Sequence, residues 1–326
     1  MDVSTEQTAR VSFAWRMVDH LLNLYRRTLK RIHPLHQGLH WLAQHFALPV
    51  LERLRRFRTM PDDPFWFRAE LLLNLHERPT RQQLRSHLRP GMVVLDVGAH
   101  VGYYARLAAP LVGRTGRVLA FEPHPRTYAT LHANLQSFGQ VQALQMGLSD
   151  APGTAQLYDY LMMSASGSIH YDPQMADLVK QQVNGSDIAP RIRADFPVQA
   201  YDIALQQGDA VLAEHGITTV DVIKMDIEGA ELLALRGLRA TIANSPGLIL
   251  IMEYNPQALS AFGHEPQAAL AEVRQMGFDH MFIIRETDGS LETLDVNDAA
   301  FAELTDTLMA RMGVVNLLFR RDASAS

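Results

Sequence analysis

Two stretches decide the fold: Asp221-Val-Ile-Lys224-Met-Asp226-Ile-Glu228-Gly229-Ala-Glu231, and Leu248-Ile-Leu-Ile-Met-Glu253-Tyr254-Asn255-Pro256. Each is a short apolar run that ends in acidic residues, and residues 230–242 between them have helical spacing. Near-continuous apolar runs of this length read as strands covered on both faces. The pattern repeats upstream. Residues 92–96 read as a strand, Gly98 to Gly102 as a glycine turn, and residues 103–111 as a helix. Residues 117–122 form a second strand, 125–138 a helix with proline in its first turn, and 141–146 a third strand. Downstream lie a helix (266–276), a strand (280–285), an Asp288-Gly289 turn, a helix (301–312) and a final strand (314–319). Alternation of this kind means βαβ units and a mostly parallel α/β sheet with helices on both faces. The last two strands are expected to form an antiparallel, hairpin-like edge.

The chain has 326 residues, 47% apolar and 20% charged, and no cysteine. That composition excludes fibrous and wholly disordered classes, disulfide scaffolds, zinc-thiolate sites and a cysteine nucleophile. The net charge of −5 argues against a nucleic-acid partner. The charge is uneven: residues 1–60 carry ten Lys/Arg and four Asp/Glu, and the remainder is acidic. No secretory signal or spanning run is legible, so the expected location is the cytoplasm.

Apolar residues recur at helical spacing over residues 11–32, and again over 39–57 with an expected interruption at Pro49. Residues 1–60 therefore read as a basic amphipathic helical arm. Such an arm packs on the body, pairs with a second copy, or lies on a membrane surface. Residues 61–90 form a helical lead-in, with a short helix over 65–76. Residues 91–320 form the sheet domain, with an insertion at about 161–196, and 321–326 form a disordered tail.

The chemistry-bearing residues fall at the carboxyl ends of the strands, where open α/β sheets bind ligands. Asp96, Gly98, His100 and Gly102 occupy the first strand–helix turn. The spacing is not the dinucleotide fingerprint, and an acid two residues before the first glycine disfavours a pyrophosphate, and with it a nicotinamide-dependent oxidoreductase. Glu122 ends the second strand about 20 residues on, where a carboxylate suits ribose hydroxyls. Asp150 follows the third strand and suits an exocyclic adenine amine. Lys224 and Asp226 share one side of their strand. Asp226, Glu253 and Asn255 are all oxygen donors of the kind a hard divalent cation takes. His100, His124 and His170 are further candidate bases.

At the segments LDVGAHVGYYARLAA, FEPHPRTYATLHANL, GLSDAPGTAQLY and DVIKMDIEGAELLALRGL followed by LILIMEYNP, the chain resembles the FkbM family of S-adenosylmethionine-dependent methyltransferases. The resemblance runs from about Met92 to Phe319. It implies a class I Rossmann-like fold with a seven-stranded sheet, and O-methylation of a hydroxyl on a sugar, glycan or natural product. His100 stands where the family commonly has asparagine. On this reading Asp96, Gly98, Gly102, Glu122 and Asp150 hold S-adenosylmethionine, and Asp226, Lys224 and His100 are the catalytic candidates. Asp226, Glu253 and Asn255 would hold Mg2+ if a metal takes part. The alternative is a non-catalytic binding module tethered by its arm.

Overall fold

The computed structural model describes residues 41–159, 164, 167–170 and 198–322. The helix expected over 11–32, most of the 161–196 insertion and the last four residues of the tail lie outside the described residues.

The chain divides after Arg55 into two units. In the first, a helical segment contains one π turn (Ala43–Ala47) and continues as α1 (Leu48–Arg55). The expected interruption at Pro49 does not occur. Proline gives no N–H and crowds the carbonyl four residues back, and a widened turn just before it relieves that clash. Trp41, Leu42, Phe46, Val50 and Leu54 are exposed.

The second unit opens with α2 (Phe65–Leu73) and α3 (Arg78–His87). Then come β1 (Val93–Val97), α4 (Tyr103–Val112), β2 (Arg117–Phe121), α5 (Pro125–Leu135) and β3 (Val141–Leu144). Strands β4 (Gly147–Ser149), β5 (Gly153–Asp159) and β6 (Gln199–Gln207) form a separate three-stranded sheet in the order β4-β6-β5. The chain continues with α6 (Gly208–Glu214), β7 (Val222–Met225), α7 (Glu231–Gly237), α8 (Arg239–Asn244) and β8 (Ile249–Tyr254). It ends with α9 (Pro256–Ala261), α10 (Pro266–Gln275), β9 (His280–Ile284), β10 (Leu291–Thr293), α11 (Ala299–Arg311) and β11 (Val315–Arg320).

The main sheet has the order β10-β9-β11-β8-β7-β1-β2-β3. Pairs from β3 to β8 are parallel, and those of β11, β9 and β10 are antiparallel. It is the class I Rossmann-like α/β arrangement, with eight strands rather than seven. The extra strand, β10, is three exposed residues that carry no apolar signal. The last two expected strands, β9 and β11, do pair antiparallel, but their place at the edge is corrected. Strand β11 is apolar and buried, so it inserts between β8 and β9, and the edge hairpin is β9–β10.

Strand residues alternate between two cores. Val94, Val118, Val222 and Ile251 face one cluster, joined by Leu84 and Leu88 from the lead-in; Leu95, Leu119, Ile223 and Leu250 face the other. The helix expected over 230–242 is broken at Leu238, next to Gly237. A methyl group on Gly237 would sit 2.0 Å from the Ser149 carbonyl oxygen, so this turn packs directly on β4.

Candidate active site

The chain leaves β1 for β2 and β3 on one side of the sheet, and returns to β7 and β8 on the other. The β1/β7 boundary is therefore the switch point at which such sheets bind ligands. A cavity of about 140 Å³ lies there, with Gly98, Glu122, Lys224 and Asp226 in its wall.

Register explains why charged residues meet at this point. Asp96 pairs with Lys224 across β1 and β7, and Glu253 pairs with Asn316 across β8 and β11. Period two puts Asp96, Lys224 and Glu253 on the sheet face that also carries Val94, Val222 and Ile251. One row of polar side chains thus crosses four strands at their mouths.

The glycine turn is a tight cradle. Gly98 has φ +79°, and a methyl group there would lie 1.9 Å from the Asp226 carbonyl oxygen. Only glycine lets the β1 and β7 loops approach so closely. Glu122 is buried and holds two main-chain amides: His100 N–H donates to Oε2 at 3.0 Å and His124 N–H to Oε1 at 2.8 Å. Burial nonetheless pushes its carboxyl up to about 7. Asp96 is also raised to about 7 by burial, and its Oδ2 has no hydrogen-bond partner. An orphaned buried carboxylate oxygen, a glycine cradle and a strand-end carboxylate with spare lone pairs suit a cationic, ribose-bearing cofactor.

On the β7 side of the cavity, Lys224 is 1% exposed, and its Nζ donates to Asp226 Oδ2 at 3.3 Å. Burial works against its charge, but Asp226, Glu77 and Glu253 outweigh burial and raise its pKa well above the usual lysine range. Glu253 is pushed up by burial and by the nearby Asp226 and Glu228. Glu228, at φ +53°, is raised to about 8 for the same first reason, with Asp226 adding to it. Glu231 is raised to about 7 by burial, while its Oε1 accepts from the Ile227 and Gly229 amides.

The remaining candidates are more scattered. His100, at φ +50°, has Nε2 2.5 Å from Ser164 Oγ, which donates to Asp63 Oδ2 at 2.7 Å. Burial lowers the His100 imidazole to about 3, so it is neutral and a weak base. His124 caps α5, with Nδ1 accepting from the Thr127 amide at 3.3 Å. Gly102 ends the turn against Leu131 of α5. Asp150 is exposed and is not part of the cavity wall. Asn255 Oδ1 caps α9 through the Ala258 amide. His170 is exposed.

Three residues at the site were not read from the sequence. Glu77 precedes α3 and accepts from Tyr104 Oη and from Asn316 Nδ2. Tyr104 also places its ring 5.1 Å from Lys224 Nζ. Asn316 left a signal, as a lone amide inside an apolar strand; Glu77, in a polar stretch, left none.

Comparison with known proteins follows the same lines. The family description "Methyltransferase FkbM domain" matches residues 96–279. The AMB antimetabolite synthetase AmbE of Pseudomonas aeruginosa is 31% identical over 166 residues, which are 46% of this chain but 8% of AmbE. The chain therefore spans less than a tenth of that relative. The 2-O-methyltransferase NoeI of Sinorhizobium fredii is 25% identical over 67% of this chain and 82% of its own length. The 31-O-demethyl-FK506 methyltransferase FkbM of Streptomyces tacrolimicus is 28% identical over 65% of this chain and 81% of its own. The family match takes in more than half of the chain and includes the glycine turn, Glu122, Lys224, Asp226 and Glu253, and the chain belongs to the methyltransferase FkbM family.

Proposed function

We propose that the chain is an S-adenosylmethionine-dependent O-methyltransferase acting on a hydroxyl of a sugar, glycan or natural product. The observation that carries this reading is Glu122. It is fixed by two main-chain amides beside the Gly98 turn, at the switch point of the sheet. The bound cofactor would supply an electrophilic methyl sulfonium. Asp96 and Gly98 take its methionine part and Glu122 its ribose. Apolar residues of the cavity wall, among them Met146, Leu148 and Ile203, face its adenine. Asp150 is proposed for the exocyclic amine, where its exposure makes any contact solvent-screened.

Lys224 and Asp226 position the acceptor hydroxyl in line with the methyl group, and Asp226 takes its proton. His100 holds the turn, through Glu122 and Ser164. Magnesium, the sequence's second cofactor, would need donors other than Asn255, whose oxygen caps α9. The carboxylates that converge among the described residues are Glu77, Asp226 and Glu253.

Calorimetric titration with S-adenosylhomocysteine tests the reading. Micromolar binding supports it and justifies an acceptor screen over glycans and polyketides. Absence of binding to folded protein would favour the tethered binding module instead. The exposed Trp41, Leu42, Phe46, Val50 and Leu54, beside Arg53 and Arg55, give the arm a surface-contact role in this proposal. Flotation of the full chain with anionic vesicles tests that part, and failure to float removes it. Among the described residues no helix is long and apolar enough to cross a membrane.

A further inference from the structure

We infer that the Lys224 ammonium is the fixed cation of the acceptor pocket, standing beside the place a divalent ion would otherwise take, and that Glu77, from outside the family-matched residues, is a positioning residue that helps to keep it there. The role in catalysis rests on the methyltransferase reading above; the geometry does not.

Glu77, Asp226 and Glu253 each offer a carboxylate oxygen, and these oxygens lie within 4.8 Å of one another. Oxygens this close together could share one divalent cation. Here the charge is supplied from within the chain. The Lys224 ammonium is 3.3 Å from Asp226 Oδ2, with the Tyr104 ring 5.1 Å away. Among the described residues its ion pair within 4.0 Å is with Asp226 alone, and Glu77 and Glu253 act on the same ammonium from further off. A second cation in this space would meet like charge at close range.

Glu77 is built for the purpose. Its backbone is left-handed, at φ +40°, which is unusual for a residue with a side chain. Tyr104 and Asn316 each donate to one of its carboxylate oxygens. Burial pushes Glu77 up, but Lys224 first, then His76 and these two donors, bring it below the usual glutamate range. Asn316 Oδ1 is buried without a partner on the same side chain that holds Glu77. Strain kept in place by several bonds at a cleft is the mark of a functional constraint. A fixed ammonium beside Asp226 favours the deprotonated form of an acceptor hydroxyl held there, which is the task a metal performs in other transferases.

The test uses the full chain and Mn2+ as the probe, read by electron paramagnetic resonance of the free ion. The wild type is expected to show no stoichiometric site below about 1 mM, whereas Lys224→Ala gains one at least about tenfold tighter. Adding Glu77→Gln to that variant should abolish the gain. A tight stoichiometric Mn2+ site in the wild type, or no gain in a folded Lys224→Ala protein, overturns the inference. Should Lys224→Ala fail to fold, Lys224→Met, which keeps the unbranched bulk of the side chain without its charge, replaces it in the same Mn2+ measurement. A gain in that variant is expected, and its absence in the folded protein overturns the inference. Each protein is also titrated with S-adenosylhomocysteine. Binding retained without a Mn2+ gain sinks this inference alone, and binding absent from the wild type sinks only the methyltransferase reading.

Discussion

The two rims of the parallel strands treat their polar residues differently. At the amino rim Asp221, Ser245 and Arg117 each close on a nearby group. Asp221 Oδ2 accepts from the Val93 amide at 2.7 Å, Ser245 Oγ accepts from the Val220 amide at 2.9 Å, and Arg117 donates to the His215 carbonyl at 2.7 Å. At the carboxyl rim the closure is incomplete. Asp96 Oδ2 has no partner, and burial holds Asp96, Glu122 and Glu228 at about 7 to 8. Buried polar groups without partners destabilise a fold. The contrast teaches that polarity alone does not mark a site in this protein; a buried carboxylate oxygen left open at a strand mouth does.

Glycine substitutions should break the contrast most sharply. Gly91 at the amino rim and Gly98 at the carboxyl rim are both left-handed, at φ +89° and +79°. A methyl group on Gly91 would come no closer than 3.8 Å to Thr115 Oγ1, so Gly91→Ala meets only backbone strain, about 1–2 kcal/mol. The same group on Gly98 would overlap the Asp226 carbonyl. Gly98→Ala should therefore cost about 2–4 kcal/mol and abolish S-adenosylhomocysteine binding as the loops part. Urea unfolding and calorimetry on the pair check this. Equal losses in the two variants would mean that the close approach at Gly98 does not matter.

A smaller effect separates Glu122 from Asp221, since both are carboxylates that accept main-chain amides. Glu122→Ala should weaken S-adenosylhomocysteine binding by about 1–3 kcal/mol through lost charged hydrogen bonds. Asp221→Ala should lower stability by about 1 kcal/mol and leave that affinity unchanged. A comparable binding loss in both would remove the ribose assignment.

These contrasts were only partly legible in the sequence. Strands β1 and β2 were placed within a residue, and the runs of β7 and β8 were recognised, because both faces of each are buried and each run is nearly all apolar. The β4-β6-β5 sheet was not, because β6 is half exposed along its length and β4 is a three-residue strand that reads as a turn. Helix α3 fell inside the expected helical lead-in but was not read as an element of its own, for a related reason: among Arg78–His87 only Thr80 and Leu84 are buried, and most of the segment is polar. At the site, Asp96, Glu122, Lys224 and Asp226 could be found because a charge that ends an apolar run is conspicuous. Glu77 could not. Its partner Asn316 is 239 residues away, and only the insertion of β11 beside β8 brings the two together.

The finest test of the open rim is pH. Asp96 and Glu122 titrate at about 7 in the folded protein, above the ordinary carboxylate range. Between about pH 4 and 7 the folded chain thus holds more protons at these positions than the unfolded chain does. Their contribution to stability is present at low pH and is lost as pH rises through 7. Ligand charge should reverse that trend. The sulfonium of S-adenosylmethionine favours an ionised Asp96, whereas the sulfide of S-adenosylhomocysteine does not. Glu122, proposed for the ribose, would affect both ligands alike and cancel in their ratio. From pH 6 to 8 the affinity for S-adenosylmethionine should therefore rise about threefold to tenfold relative to S-adenosylhomocysteine. Calorimetry with both ligands at each pH reads the ratio, and Asp96→Asn should flatten it. A flat ratio in the wild type would place Asp96 away from the sulfonium and leave its open oxygen without an assigned partner.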